Sequence, residues 1–101
     1  MIVPLSHVVV LSLLLFSIGV TGIFVRRDAV TILLCVEILL NAANVAFVGF
    51  ARALGDDLGH VAAFVVIALA AAEAAVGLAL VLRVSRRAGT VDLDALRSLK
   101  G

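Results

Sequence analysis

Charge is scarce in this sequence. Asp, Glu, Lys and Arg make up 15% of 101 residues, and none of them occurs between positions 1 and 25. With 64% apolar residues, a chain this short has more hydrophobic surface than a soluble core of its own could hide. Cysteine occurs once, at Cys35, which excludes an intrachain disulfide and a paired-thiol redox motif. In its apolar surroundings Cys35 reads as a small buried side chain. Tryptophan and tyrosine are absent, so there is no aromatic cage for an organic cation. A glycine-rich nucleotide loop and a metal-ligand cluster are missing too, so neither catalysis nor cofactor or metal binding is expected within this chain.

What remains is organised by the few charges. Residues 1–25 carry none, and residues 29–51 and 61–82 carry one each. Each stretch is near the roughly 20 residues that cross a hydrocarbon layer of about 30 Å. Helices are expected, because backbone groups in lipid must be paired within their own element and three strands cannot close a barrel. The reading is an all-α polytopic membrane protein with one integral membrane domain over 1–101. Its three transmembrane helices lie near 3–25, 29–51 and 61–82, followed by a short tail over 83–101. The first stretch lacks the basic start of a signal peptide and runs long before its arginines, so it reads as a retained span.

Three spans put the Arg26-Arg27-Asp28 turn and the tail on one side, with the N-terminus and the Arg52–His60 loop on the other. The first side holds Arg26, Arg27, Arg83, Arg86, Arg87, Arg97 and Lys100, whereas the second holds only Arg52. By the positive-inside rule the C-terminus is expected on the cytoplasmic side and the N-terminus on the periplasmic side. Arg83, Arg86 and Arg87 follow a span directly, which suits anchoring at the lipid headgroups and not nucleic-acid binding. His7 and His60, both near the outward ends of their helices, read as interfacial polar residues, with proton entry or exit as the alternative.

Polar residues inside the spans are few and patterned. Glu37, Asn41 and Asn44 share one helical stripe. The third span is crowded with small residues around Glu73, from Ala68 through Ala79, which allows close helix approach. Ser12, Ser17, Gly19, Thr21 and Gly22 mark the first span as a packing helix, with Ser17 and Thr21 able to return hydrogen bonds to preceding carbonyls. Leu93, Leu96 and Leu99 recur at threes, which predicts a brief amphipathic turn in the tail.

Glu37 lies nine residues beyond Asp28, about 13 Å along a helix, and Glu73 lies ten residues before Arg83, about 15 Å. Their helices run in opposite directions, so both carboxylates reach nearly the same depth, close to mid-membrane. An acid there costs about 2.5–3.5 kcal/mol, which protonation, a base or water must reduce. The chain supplies no Lys or Arg at that depth, so any buried base comes from a neighbouring chain. Two roles stay open for the pair. One is proton or ion transfer, and the other is purely structural pairing of Glu37 with Asn41 or Asn44 and of Glu73 with another helix. Three helices enclose only a thin interior, so partner helices are expected in either case.

The segments TGIFVRRDAVTILLCVEILLNAANVAFVGFARA, IALAAAEAAVGLALVL and DLDALRSLKG, in this order, resemble the subunit K (4L) family of bacterial proton-pumping NADH-quinone oxidoreductase, respiratory complex I. The resemblance runs almost end to end. It implies a bacterial inner-membrane subunit whose Glu37 and Glu73 belong to a polar axis linking quinone-side subunits to antiporter-like subunits, coupling quinone reduction to proton translocation. It implies supporting or coupling roles for Arg26 and Arg27, with Asn41 and Asn44 as packing or water-ordering residues. FMN, iron-sulfur clusters and quinone are implied elsewhere in the complex, with no binding site in this chain and no redox chemistry of its own. Membrane lipid and the other membrane-arm subunits are the expected partners. The C-type component of multisubunit cation/proton antiporters shares the three-span plan but typically lacks the acidic pair. A drug/proton exporter, a two-helix rotor proteolipid and a purely structural assembly protein are the further alternatives.

Overall fold

The computed structural model describes residues 3–96. Three long helices follow one another: α1 spans Leu5–Val25, α2 Ala29–Leu54 and α3 Leu58–Ala88, with a single turn, α4, at Leu93–Leu96. All three long helices are apolar and long enough to cross a membrane, and no strand occurs among the described residues. The crossing stretches expected from charge lie for the most part inside these helices, and α2 and α3 run on into the flanking polar zones. Arg83, Arg86 and Arg87, expected on the tail, sit instead on the last turns of α3, because an exposed arginine is compatible with helix and nothing before Gly89 stops it. Arg97, Leu99 and Lys100 lie outside the described residues.

Each boundary has a local cause. The Asp28 carboxylate caps α2, accepting from the Thr31 amide at 2.9 Å and the Thr31 hydroxyl at 2.5 Å. Gly55 (φ 66°) and Gly89 (φ 74°) end α2 and α3 in the left-handed conformation that glycine adopts without a Cβ penalty. Asp56 accepts from the Leu58 amide at 2.9 Å, so the turn into α3 is self-contained.

Packing centres on α2, which lies against both α1 and α3, while those two barely meet. The buried side chains are small: Cys35, Ala42, Ala51, Ala63 and Asn44. Gly19 is packed so closely that an added Cβ would lie 2.6 Å from Leu39 Cδ2 and 3.0 Å from the Cys35 carbonyl, and one at Gly22 would meet Cys35 Sγ. Ser12 reinforces this seam by donating to the Ala42 carbonyl at 2.7 Å. Ser17 returns its hydroxyl to the Leu13 carbonyl at 2.8 Å within its own helix. On the other seam, a Cβ at Gly59 would lie 2.6 Å from Ala51 Cβ and 2.7 Å from the Phe47 carbonyl. Large apolar side chains such as Leu14, Phe16, Phe64 and Leu80 face outward, as lipid or partner helices require.

Tolerance differs from point to point along the α2–α3 seam. Gly59→Val must displace backbone and is expected to destabilise the protein by about 1–3 kcal/mol. Gly77→Ala meets the flexible tip of Leu33 at 3.0 Å and is expected to be nearly neutral. Thermal melting of both variants in detergent checks the contrast; equal losses would contradict this packing.

Candidate functional site

The register of α2 on α3 fixes where the carboxylates stand. Leu33 lies against Gly77, and Ala51 lies against Gly59. Stepping one turn inward from the first contact along both antiparallel helices reaches Glu37 and Glu73. The two acids are therefore level, and each is one helical turn from a residue in the α2–α3 seam, so both border that seam.

Their surroundings differ. Glu37 is half-buried, and its Oε1 is sealed from solvent with no hydrogen-bond partner among the described residues. Asn44, two turns along the stripe, is 8% exposed, and its Oδ1 is likewise without a partner. Asn41 is exposed, so the stripe runs obliquely, with Asn44 inside, Glu37 at the rim and Asn41 outside. Glu73 is exposed on α3. No hydrogen bond from Asn41 or Asn44 reaches Glu37, and none joins the two acids, among the described residues. A buried oxygen left without a donor costs free energy, so the arrangement calls for a hydrogen-bond donor beyond those the described residues supply.

The basic residues collect at the two ends of the bundle. Arg26 and Arg27 flank the α1–α2 turn, at the same end as Arg86 and Arg87 in the last turn of α3. Arg26 Nε lies 3.7 Å from Asp28, and Arg27 Nε lies 3.9 Å from Asp94. Both arginines are exposed. At the other end stand Arg52 and His7, exposed, and His60, half-buried. No group of three potential metal ligands occurs among the described residues. Sequence reasoning missed the pairing of the tail with this turn: Asp28 and Asp92 form an isolated antiparallel bridge. The only available signal was the run of aspartates beside leucines in the tail, which does not by itself reveal a partner.

By sequence, the chain is similar to proteins of one named family. The family described as NADH-ubiquinone/plastoquinone oxidoreductase chain 4L matches residues 7–101. A Myxococcus xanthus protein named NADH-quinone oxidoreductase subunit K is 52% identical over 98 residues, covering 97% of this chain and 98% of its own. Proteins of the same name from Deinococcus radiodurans and Roseiflexus castenholzii are 48% and 46% identical, each covering 98% of this chain and 96% and 99% of their own.

The cap at Asp28 makes a pH prediction. Hydrogen bonds from the Thr31 hydroxyl and then the Thr31 amide, helped by Arg26, hold its carboxyl below the usual aspartate value. A lowered folded pKa contributes stability above the unfolded value of about 3.9, and that contribution is lost as pH falls through the folded value. Asp28→Asn is therefore expected to melt earlier than the parent at neutral pH, with the gap closing in strong acid. Melting curves across pH check this; a constant gap would contradict it.

Proposed function

This chain belongs to the NADH-ubiquinone/plastoquinone oxidoreductase chain 4L family, and from that premise we propose that its Glu37 and Glu73 form a lateral proton relay between neighbouring subunits of the membrane arm. It is a subunit of NADH-quinone oxidoreductase and a multi-pass membrane protein. The observation that carries the relay is Glu37 Oε1, desolvated and without a partner among the described residues, level with a second acid bordering the same seam. Two anions so placed repel, so one proton shared between them, or a cation offered by a neighbour, lowers the energy of both. A change of charge in the adjoining protein then shifts the proton, which is what coupling through a membrane requires.

On this reading NADH oxidation and quinone reduction take place in other subunits, where the flavin, the iron-sulfur clusters and the quinone reside. Glu73 faces the helix that continues the path, Glu37 the inner rim. Asn44 and Asn41 orient water or a partner side chain beside Glu37, and Arg26 and Arg27 support the turn that holds α2. The quinone-side and antiporter-like subunits are the neighbours, and lipid covers what they leave. The arginine-rich end lies in the cytoplasm and the protein sits in the bacterial inner membrane.

A purely structural role is less favoured, since the expected bonds from Asn41 or Asn44 to Glu37 are not made. The role of a C-type antiporter component fits the three spans but offers no use for the acidic pair.

Glu37→Gln and Glu73→Gln are each expected to preserve assembly and to lower proton pumping by on the order of tenfold or more, the scale of losing a proton-transfer group. Electron transfer and pumping are measured separately in membrane vesicles. Full pumping in both variants would sink the relay. Thr90→Cys is expected to react with an impermeant maleimide only from the cytoplasmic side; labelling from the other face would reverse the topology.

A further inference from the structure

Among the described residues, α3 makes no side-chain hydrogen bond to α1 or α2. Its contact with α2 rests on small residues and apolar surface, and lipid gives no hydrophobic push that would hold such a seam. The short turn at Gly55–Asp57 fixes one end of α3. The other end stands about 46 Å away along a helix of 31 residues, where a small roll or swing moves every side chain between.

That far end is tied by the segment after Gly89. The Ala29 amide donates to the Val91 carbonyl at 2.9 Å, and the Leu93 amide donates to the Arg27 carbonyl at 2.9 Å. Arg27 and Asp94 pair beside them. The segment is held in shape by its own bonds, with Asp92 N donating to Thr90 Oγ1 at 3.0 Å and Asp94 N donating to Asp92 Oδ1 at 2.9 Å. Beneath it lies an apolar pocket of about 190 Å³ lined by Ala29, Leu80, Val81, Val84, Val91 and Leu93. Glu73 lies midway along the chain between Asp57 and Gly89, the two tied ends.

We propose that residues 90–94 are a positioning strap that clamps the far end of α3 to the α1–α2 turn and so keeps Glu73 level with Glu37 at the border of the same seam. The inference rests on the relay reading for its consequence in coupling, while the strap itself is tested separately. It makes the Ala29 amide, the Val91 carbonyl and the Leu93 amide positioning groups, acting through the helix they hold. With only Thr90 between Gly89 and Val91, α3 cannot shift by a turn while the bridge is closed. Opening the bridge frees the helix to roll, and the proton then meets a misplaced acceptor.

Ala29 occupies the first position of α2, where proline removes no intrahelical bond. Asp28 already has the extended backbone, φ −84° and ψ 139°, that suits a residue before proline. Ala29→Pro therefore deletes one strap donor and leaves the helix intact. In the purified complex, exchange of the Leu93 amide is expected to rise about fivefold, the effect of one such bond. Protons pumped per electron are expected to fall while electron transfer continues.

A lock supplies the converse. Asp28 and Asp92 face each other as a pair flanked by the two bonds, a geometry with Cα atoms about 4.5 Å apart, within disulfide range. Asp28→Cys with Asp92→Cys, added to Ala29→Pro, is expected to cross-link under a mild thiol oxidant and to regain coupling, then to lose it again on reduction. Because one assembled protein is compared with itself, a folding defect cannot produce that cycle. Failure to cross-link, or equal pumping per electron in both redox states, overturns the strap. Loss of pumping in Glu37→Gln and Glu73→Gln alongside a silent lock would reject the strap and leave the relay standing. Full pumping in those glutamate variants with a responsive lock would reject the relay and keep the strap as a determinant of coupling.

Discussion

A carboxylate oxygen with no partner, enclosed at mid-depth in a bundle with almost no interior, sets the terms for the rest of this protein. Glu37 Oε1 meets no donor among the described residues. A protein that kept such a group for stability alone would gain by replacing it with an apolar side chain of similar size. Its presence on the helix that packs against both others therefore makes α2 the element around which the two flanking helices are arranged. The α1 seam is tight, built on Gly19, Gly22 and Cys35, whereas the α3 seam carries the acids.

The asymmetry of the two seams follows from what lipid does not provide. Between helices in a bilayer, apolar contact is matched by apolar lipid, so binding comes from close approach and from hydrogen bonds. The α1–α2 seam has both, through its glycines and through Ser12 on the Ala42 carbonyl. The α2–α3 seam has close approach at Gly59 and Gly77 but no side-chain hydrogen bond among the described residues. A loosely bonded seam beside two acids is mechanically suited to a site whose charges change, because small adjustments there break few interactions.

Much of this was legible in the sequence, and the residues show why. The spans follow from the spacing of charges, since an ionised side chain in hydrocarbon is unfavourable wherever it falls. The matched depth of Glu37 and Glu73 needed only the helical rise and the alternation of direction, and the Leu33–Gly77 contact places them level. The burial gradient from Asn44 through Glu37 to Asn41 was not legible, because a 4, 3 spacing defines a stripe and not which neighbour lies under it. The pairing of Asp28 with Asp92 was also hidden. It joins residues 64 positions apart through main-chain atoms, which carry no side-chain signature. Helix ends escaped for a related reason: arginines stop a membrane span but not a helix, and the stop came from the left-handed glycines at 55 and 89.

The same constraint leaves both acids without a hydrogen-bond partner among the described residues. Its described surface exposes leucine, valine and phenylalanine on every long helix, and its buried residues are almost all alanine, cysteine or glycine. Lipid can cover the apolar faces. It cannot satisfy Glu73, which is open to the surroundings at the level where a charge is least tolerated. In the proposed relay, a base, a hydrogen-bond donor or a water file meets Glu73 from a neighbouring subunit, and the chemistry of the site is completed at that interface. In that proposed relay, one acid at the inner rim and one facing outward would give this small protein one side that receives a change of charge and another that passes it on. The proposed strap at the arginine-flanked turn, at the end of the same helices, would keep those two sides in register.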